Sequence, residues 1–509
     1  MVTGLGRRGI RGGLLLGVLV ALNAQADEAP QVATVAVDFN RPQGKLLHAE
    51  RFNNFARAAG FAEQRPADVR FYNEQGLHGE IYRVWIADSV YDEKAGTYHY
   101  AELLPYLADA SAVSDFVLVG FQMVLRLIQN GASPEQIKPI VKTIIGELKQ
   151  KYPQIKYVEA FNEPDYNLAK VLEPQDLYKY YVPFYQAVNE LNAQLHPSVP
   201  LQVGGPAFMD LDLPWMRAFL DGFEADRSPD KRLDFISYHG YGHFGAGGGE
   251  PGKLQPYHFY KNDPSEVATQ RDALDQELRN RGLDANIPSF ITEMGIYPGP
   301  SFDNPTDPHP DYLRQAAGMA SLAYWYMNSP KNVPFNWVVR HRMEERKDQL
   351  VTRVPKGEPV PTGVFTPYGN MMLMMSKMKT TRVSAVSDRI KDGKGVYAVA
   401  SMDSSGITIA LWNYQHTNTA SFRAEIKLSH LPKEMSNRPI QERMFRIDQK
   451  TSNYFSDPGL ANLQQVGGRT VTLHDGQTET IELEPNALQL ISLEPTGAAT
   501  GISGRRHGQ

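Results

Sequence analysis

Short apolar runs alternate with amphipathic segments of helical length over most of the chain. The apolar runs cover residues 80–87, 116–121, 155–161, 200–205, 233–239, 288–295 and 335–339. The amphipathic segments cover residues 98–110, 134–151, 174–195, 214–225, 264–281 and 312–327. Runs of this length between polar or Gly/Pro residues are typical of strands buried on both faces. With one further strand at 51–56, the alternation predicts an α/β fold, a (β/α)8 TIM barrel over residues 46–379.

An open, doubly wound parallel sheet is the alternative that this pattern leaves. That fold binds phosphates at a glycine-rich loop between a strand and a helix. No such loop follows a predicted strand here, which favours the barrel. The helix at 134–151 shows how clearly some elements are marked. It follows Ser133, opens with Pro134 and carries its aliphatic residues on one stripe.

The pattern changes after residue 379, where short alternating runs are separated by Gly, Asp, Asn and Pro. This texture predicts an accessory C-terminal antiparallel β-sandwich domain over 380–495. Residues 27–45 contain a similar alternating run at 32–39, which we expect to join that β-domain. Residues 496–509 are rich in Gly, Ala and Ser, and we expect a disordered tail.

The first 26 residues have the three parts of a signal peptide. Arg7, Arg8 and Arg11 form a basic start, residues 14–22 are apolar, and Ala24-Gln25-Ala26 is a small-x-small cleavage signature. The apolar stretch is shorter than the roughly 20 residues that a membrane-spanning helix needs. We therefore expect an exported protein, periplasmic or extracellular, without a membrane span.

Composition excludes several classes of protein. The chain has no cysteine, which rules out disulfides, thiolate metal sites, iron–sulfur clusters and a cysteine nucleophile. The net charge is −5, and loss of the three signal-peptide arginines would take it to −8. Without a dense basic field, nucleic acid is not an expected partner.

Candidate chemistry lies where the predicted barrel strands end, since barrel enzymes place functional groups there. The residues at these ends are Arg83, Phe121, Asn162, Glu163, His239, Tyr241, Glu293 and Trp337. Glu163 and Glu293 directly follow the fourth and seventh apolar strands, on opposite sides of a barrel. Burying a lone carboxylate is costly unless it is partnered or used. A facing pair of carboxyl groups is what glycoside hydrolysis requires.

Two segments around these glutamates resemble those of the clan A glycoside hydrolases. YVEAFNEPDY (157–166) resembles the acid/base segment that ends the fourth strand, and SFITEMG (289–295) resembles the nucleophile segment of the seventh. The mature chain as a whole resembles glycoside hydrolase family 39, the family of β-xylosidases and α-L-iduronidases. Further matching stretches, in the family's order, are YHYAELLPYL (98–107), FVLVGF (116–121), LQVGGPA (201–207), DFISYHGYG (234–242) and ALWNY (410–414).

The resemblance implies a role for each strand-end residue. Glu163 would be the general acid/base and Glu293 the nucleophile of a retaining double displacement, with carboxyl groups about 5–5.5 Å apart. Asn162 would bind the sugar 2-hydroxyl, while His239 and Tyr241 would orient the nucleophile and the sugar. Arg83 would hold Glu293 ionised. Trp337 would form the floor of the −1 subsite, and Phe121 and Trp85 are further candidate sugar contacts.

This chain also departs from the family pattern. Phe161 and Met294 stand where the family usually or often has tryptophan, and Trp85 stands where it commonly has histidine. These positions shape the −1 and neighbouring subsites, so the sugar is not predicted. His239 and His243 have the spacing of metal ligands but not the helical context, and we expect neither a metal nor a cofactor.

The charged stretch 340–347 after the last barrel strand has two interpretations. It is either a solvated, self-paired loop or a site where Arg340 or Arg342 binds an acidic sugar in bidentate fashion. The predicted function is a secreted glycosidase acting on an oligo- or polysaccharide that is xyloside-like, uronide-containing or a bacterial exopolysaccharide. A transglycosylase and a non-catalytic carbohydrate-binding or matrix protein remain alternatives. Linkage, exo or endo action and oligomeric state are not predicted.

Overall fold

A computed structural model describes residues 30–55, 75–241, 263–296, 312–337, 339, 350–352, 364–415 and 420–496. The predicted signal peptide and Arg340 lie outside these residues, as does all but the first residue of the predicted tail. None of the described helices is long and apolar enough to cross a membrane.

Eight parallel strands close into a barrel, which confirms the predicted fold class. In chain order, and numbered first to eighth below, they are Phe52–Phe55, Gly79–Trp85, Ser114–Gly120, Ile155–Glu159, Gln202–Phe208, Phe235–Gly240, Ser289–Met294 and Asn332–Asn336. Each pairs with its neighbours in sequence order, and the eighth pairs with the first. The carboxyl ends of all eight therefore meet at one face of the barrel.

The helices surround the barrel close to where the sequence predicts them. The α-helices are Leu104–Val113, Met123–Gln129, Pro134–Lys151, Pro164–Asn167, Leu177–Leu195, Leu213–Ala225, Gln270–Asn280, Tyr312–Tyr326 and Pro367–Met375. Short 3-10 turns are found at Ala49–Arg51, Asp88–Val90, Pro174–Asp176, Pro264–Thr269 and Pro458–Leu460. The helix Pro134–Lys151 has the predicted bounds, because Ser133 and Gln136 cap each other's backbone amides.

One helix begins later than predicted. Residues 98–110 were expected to be helical, whereas the helix runs from Leu104 to Val113. Thr97–Tyr98 instead pairs with Tyr91–Asp92 in a two-stranded hairpin. A second small pair joins Val351–Thr352 to Val364–Phe365. The aromatic contact between Tyr91 and Tyr98, with ring centroids 5.2 Å apart, stabilises the hairpin. Tyr98 is therefore part of a strand and does not begin the helix.

The remaining strands form a mostly antiparallel β-domain. They are hydrogen-bonded in the order Gln464–Thr472, Pro439–Ile447, Leu488–Pro495, Gly406–Tyr414, Lys394–Asp403, Thr381–Ser387, Gln31–Lys45, Phe422–Ser429 and Thr478–Leu483, with Ile390–Lys391 beside Lys394–Asp403. Strand Gln31–Lys45 lies inside this sheet, antiparallel to Thr381–Ser387 and parallel to Phe422–Ser429. Apolar side chains from distant strands, such as Val35, Ile409 and Ile481, share one core.

The barrel and the β-domain pack directly against each other. Trp412 of the β-domain donates a hydrogen bond from Nε1 to Oγ of Ser321, on the barrel helix Tyr312–Tyr326, at 2.8 Å. Its ring stacks on Tyr397, whose hydroxyl accepts a hydrogen bond from Nε1 of Trp325 at 3.1 Å. The β-domain thus supports the outer side of a barrel helix.

Candidate active site

The inward faces of the barrel strands carry two layers of different chemistry. The lower layer is apolar and contains Phe52, Ile81, Leu118, Tyr157, Phe235, Phe290 and Phe335. Because strand side chains alternate, the residue two positions later faces inward one layer closer to the carboxyl ends. In three strands that residue is Asn54, Arg83 or Glu159, and just after the eighth strand it is Trp337. The upper layer is therefore polar and charged.

Arg83 is the centre of the upper layer. Its side chain is fully buried, and its nitrogens contact Glu293, Glu159 and Asn162. Nη1 donates to Oε1 of Glu293 at 2.7 Å, Nε to Oε2 of Glu159 at 2.7 Å, and Nη2 to Oδ1 of Asn162 at 2.8 Å. Burial alone would lower the pKa of Arg83, but the two carboxylates outweigh it and raise that pKa above its ordinary value. Arg83 thus contacts Glu293 as the resemblance implies.

Glu293 lies at the end of the seventh strand and faces the barrel axis because of an irregularity in that strand. Strict alternation after Phe290 would aim Thr292 inward and Glu293 outward. The register shifts between Ile291 and Glu293, as in a β-bulge, and this re-aims the glutamate. Tyr241 donates a hydrogen bond from its hydroxyl to Oε2 of Glu293 at 2.6 Å. Both oxygens of Glu293 therefore accept hydrogen bonds, which fixes the orientation of the carboxylate.

Glu163 is held by an unusual backbone conformation. It has φ 52° and ψ 51°, in the left-handed region, immediately before the short helix Pro164–Asn167. Its backbone N–H donates to the carbonyl of Ala207, at the end of the fifth strand, at 2.7 Å. Non-glycine residues in this region cost roughly 1–3 kcal/mol and are concentrated at functional sites. The strain turns the Glu163 side chain towards His239.

His239 lies between the two glutamates. Its Nδ1 is 3.0 Å from Oε1 of Glu163, and its Nε2 is 3.6 Å from Oε1 of Glu293. Burial alone would lower the pKa of His239, but the carboxylates of Glu293 and Glu163 raise it above its ordinary value. The imidazolium form is favoured as a result. His239 thus contacts the expected acid/base more closely than the expected nucleophile.

One oxygen of each glutamate and a ring nitrogen of His239 lie within 4.8 Å of one another. Three such groups have the donor types of a metal site. However, the guanidinium of Arg83, 2.7 Å from Glu293, already supplies the positive charge that this carboxylate needs. A cation in the same place would be repelled. The arrangement is a pair of facing carboxyl groups rather than a metal centre.

An aromatic surface adjoins the carboxyl pair. The rings of Trp85 and Trp337 lie 5.1 Å apart, tilted by 35°, and Tyr241 packs with them. The guanidinium carbon of Arg83 lies 5.5 Å from the centroid of the Trp85 ring. Aromatic faces of this kind bind the apolar faces of sugars. The structure thus places three predicted sugar contacts, Trp85, Trp337 and Tyr241, side by side next to the two glutamates.

The structure corrects the interpretation of Phe121 as a sugar contact. Phe121 has no exposed surface and packs edge-on against Phe184 of the helix Leu177–Leu195, with ring centroids 5.3 Å apart. The third strand ends at Gly120, so the next side chain points into the layer between strands and helices. Phe161 is buried against the same ring of Phe184. Arg340 lies outside the described residues.

Sequence reasoning missed two acidic residues of the site. Glu159 is fully buried within the fourth strand and pairs with Arg83. A glutamate in phase with the inward-facing Tyr157, inside the mostly apolar run 155–161, was the signal that marked it. Asp165 follows Glu163 by two residues and accepts the Met209 amide on both carboxylate oxygens, at 3.0 and 3.1 Å. Burial, opposed by the Met209 amide and reinforced by the charge of Glu163, raises the pKa of Asp165 to about 7.

Comparisons with known proteins agree with this architecture. Residues 128–249, which include Glu163 and His239, match the family model described as the glycosyl hydrolase catalytic core. A search of curated proteins by sequence finds no match.

Solved structures share the fold along most of the chain. The bacterial orthologue of human α-L-iduronidase superposes with a TM-score of 0.66 at 14% identity, over 92% of this chain and 85% of that one. A monomeric β-xylosidase from Caulobacter crescentus gives 0.62 at 13% identity, over 91% and 99%. A family 39 glycoside hydrolase from Xanthomonas axonopodis pv. citri gives 0.61 at 14% identity, over 94% and 100%. The resemblance to family 39 is confirmed at the level of the fold.

Proposed function

We propose that this protein is a retaining glycoside hydrolase in which Glu293 is the nucleophile and Glu163 the general acid/base. The observation that carries the proposal is the separation of the two carboxyl groups, whose nearest oxygens lie within 4.8 Å. Retaining enzymes place the groups about 5–5.5 Å apart, and inverting enzymes about 6.5–9.5 Å to leave room for water. The close pair favours direct attack by a carboxylate.

The surroundings of each glutamate suit its role. Glu293 is only 5% exposed, and Arg83 and Tyr241 each donate a hydrogen bond to one of its oxygens, so its carboxylate is held in one orientation. Glu163 is more exposed and lies beside His239. In the first step an oxygen of Glu293 attacks the anomeric carbon as the bond to the leaving oxygen breaks, and Glu163 protonates that oxygen. In the second step Glu163 takes a proton from water, whose oxygen bonds to the anomeric carbon as the ester bond to Glu293 breaks.

Asn162 and the aromatic surface supply contacts for the sugar. Asn162 accepts from Arg83 through its oxygen, which leaves its amide nitrogen to bind the 2-hydroxyl. A contact there strengthens towards the oxocarbenium-like transition state. The rings of Trp337 and Trp85 form the floor of the −1 subsite. We infer an exported enzyme that acts on an oligo- or polysaccharide.

The test is a screen of aryl glycosides and of plant and bacterial polysaccharides with the wild type, Glu163→Gln and Glu293→Gln. Glu190→Gln, which alters a surface ion pair with Lys138 and Lys142, is the matched control. We expect cleavage by the wild type and the control only, and a first product that keeps the anomeric configuration by NMR. Binding of a polysaccharide without cleavage would support the carbohydrate-binding alternative. Transfer to added sugar acceptors in preference to water would indicate a transglycosylase.

The acidic-sugar hypothesis has a separate test. If Arg340 binds a uronate, Arg340→Ala raises KM for a glycosiduronate and leaves KM for the matching neutral glycoside unchanged, because only the former carries a carboxylate. Steady-state kinetics on the two substrates measure this difference. Equal changes for both would reject an acidic subsite at this position.

A further inference from the structure

We propose that Glu159 is the permanent counter-ion of Arg83: it keeps the guanidinium paired while Glu293 is neutral in the covalent intermediate. This makes Glu159 a positioning residue that favours formation of the glycosyl ester. The inference rests on the proposed double displacement and adds a role for a residue that touches neither the sugar nor the leaving group.

The contacts of Glu159 point to one task. Its carboxylate is fully buried, and Oε2 accepts from Nε of Arg83 at 2.7 Å. Among the residues that the structure describes, Oε1 has no hydrogen-bond partner. A buried carboxylate that uses one oxygen for a single arginine is costly as a stability device. Its interaction with Arg83 therefore calls for another explanation.

The barrel leaves space for this ion pair. The third strand carries Gly120 beside it, where a Cβ atom would lie 3.0 Å from Oε2 of Glu159 and 3.3 Å from Nε of Arg83. Any larger residue would crowd the pair. The glycine lets the carboxylate and the guanidinium meet edge to edge, so that Nη1 reaches Glu293 and Nη2 reaches Asn162.

The reaction changes the charge on only one side of Arg83. When an oxygen of Glu293 bonds to the anomeric carbon, the leaving-group bond breaks and the proton of Glu163 passes to the leaving oxygen. Glu293 becomes a neutral ester. Arg83 then keeps one hydrogen-bonded carboxylate among the described residues, Glu159. Without it the intermediate would contain a buried, unpaired cation, which is strongly unfavourable.

The kinetic test uses Glu159→Gln, with Glu442→Gln as the matched control. Glu442 is also buried and pairs with an arginine, Arg469, but lies in the β-domain. The probes are 2,4-dinitrophenyl 2-deoxy-2-fluoro glycosides of β-D-xylose, β-D-glucose and α-L-iduronic acid. We expect Glu159→Gln to slow labelling of Glu293 by about 100-fold without slowing reactivation of the labelled enzyme. The control should change neither rate.

Further outcomes distinguish a failure of the proposed role of Glu159 from a failure of the proposed double displacement. Labelling and reactivation slowed equally would indicate a merely structural role, and unchanged labelling would also overturn the proposal. Cleavage of a screened substrate with inversion of the anomeric configuration would contradict the double displacement instead. Glu159→Asp, which keeps the charge, should restore part of the labelling rate.

A second measurement needs no substrate. Glu293→Gln mimics the neutral ester, so Glu159→Gln/Glu293→Gln leaves Arg83 without a carboxylate. We expect the loss of Tm in the double variant to exceed the sum of the single losses by several degrees, because each carboxylate covers for the other. Additive losses would contradict the proposed role of Glu159.

Discussion

Two layers of the same barrel interior differ in what they contribute. Phe290 and Glu293 both face the barrel axis from the seventh strand, one in the apolar layer and the other among charges. The stacked ring of Phe235, 4.4 Å from that of Phe290, shows how tightly the lower layer is packed. The upper layer instead buries several ionisable groups and a strained backbone. The lower layer stabilises the fold. The upper layer buries charged groups, which costs stability, and contains the groups that the proposed reaction needs.

The largest expected effect comes from Glu293→Gln. Loss of the proposed nucleophile should lower kcat/KM by at least about 10⁴-fold. The free energy of unfolding should change by less than about 1 kcal/mol, because Arg83 keeps Glu159 as a partner. Steady-state kinetics and urea unfolding of the same preparation test both statements. A large loss of unfolding free energy in Glu293→Gln would contradict the different roles of the two layers.

Phe290→Ala should show the opposite behaviour. Removing a buried phenylalanine side chain costs about 3–5 kcal/mol of unfolding free energy, from lost burial and the cavity left behind. We expect kcat of the folded fraction to stay within about 3-fold of the wild type, measured well below the Tm. Phe290→Leu, which leaves a smaller cavity, is the control. Activity lost without lost stability would show that the apolar layer takes part in catalysis.

Tyr241→Phe tests the upper layer more gently. It removes the hydrogen bond to Oε2 of Glu293 but keeps the ring packed with Trp337. Hydrogen bonds to charged groups are worth about 1.5–3 kcal/mol, so kcat/KM should fall by roughly 10- to 100-fold. The unfolding free energy should change far less than in Phe290→Ala. A fall of less than about 3-fold in kcat/KM would exclude a role for this hydroxyl in holding Glu293 for the proposed reaction.

The smallest effect concerns pH. Since the pKa of Asp165 is raised to about 7 in the folded protein, above its unfolded value, folded molecules lose stability as pH rises from about 4 to 7. Asp165→Asn keeps an acceptor for the Met209 amide without that charge. We expect it to be about 1–2 kcal/mol more stable than the wild type at pH 8, a gain that disappears near pH 4.

Urea unfolding at pH 4, 6 and 8 measures that gain. The difference in unfolding free energy between the wild type and Phe290→Ala should stay constant over the same pH range, because this substitution removes no ionisable group. A gain in Asp165→Asn that does not depend on pH would show that the charge of Asp165 is not its cause.

Much of the barrel was predictable because its signals are local. Apolar runs, the Ser133–Gln136 capping box and the strand-end glutamates are all visible in the sequence, and the barrel and most of its helices are found where these signals place them. Phe121 was misjudged because the pattern does not show that the third strand ends one residue earlier. A shift of one residue moves a side chain from the site into the core.

The finer geometry of the site depends on contacts between distant strands. The left-handed Glu163 depends on a hydrogen bond to Ala207, and the inward aim of Glu293 depends on a register shift against its neighbouring strands. Neither residue type nor spacing encodes such features. Glu159 differs, because its charge inside an apolar run and the period of two from Tyr157 were both readable.

The proposed double displacement requires that Glu293 becomes covalently bound to the sugar. Mass spectrometry of peptides from enzyme treated with the 2-deoxy-2-fluoro glycosides tests it directly. We expect a single sugar adduct on the peptide that contains Glu293, and none after treatment of Glu293→Gln. An adduct on Glu163 or Glu159, or cleavage that inverts the anomeric configuration without any adduct, would contradict the account.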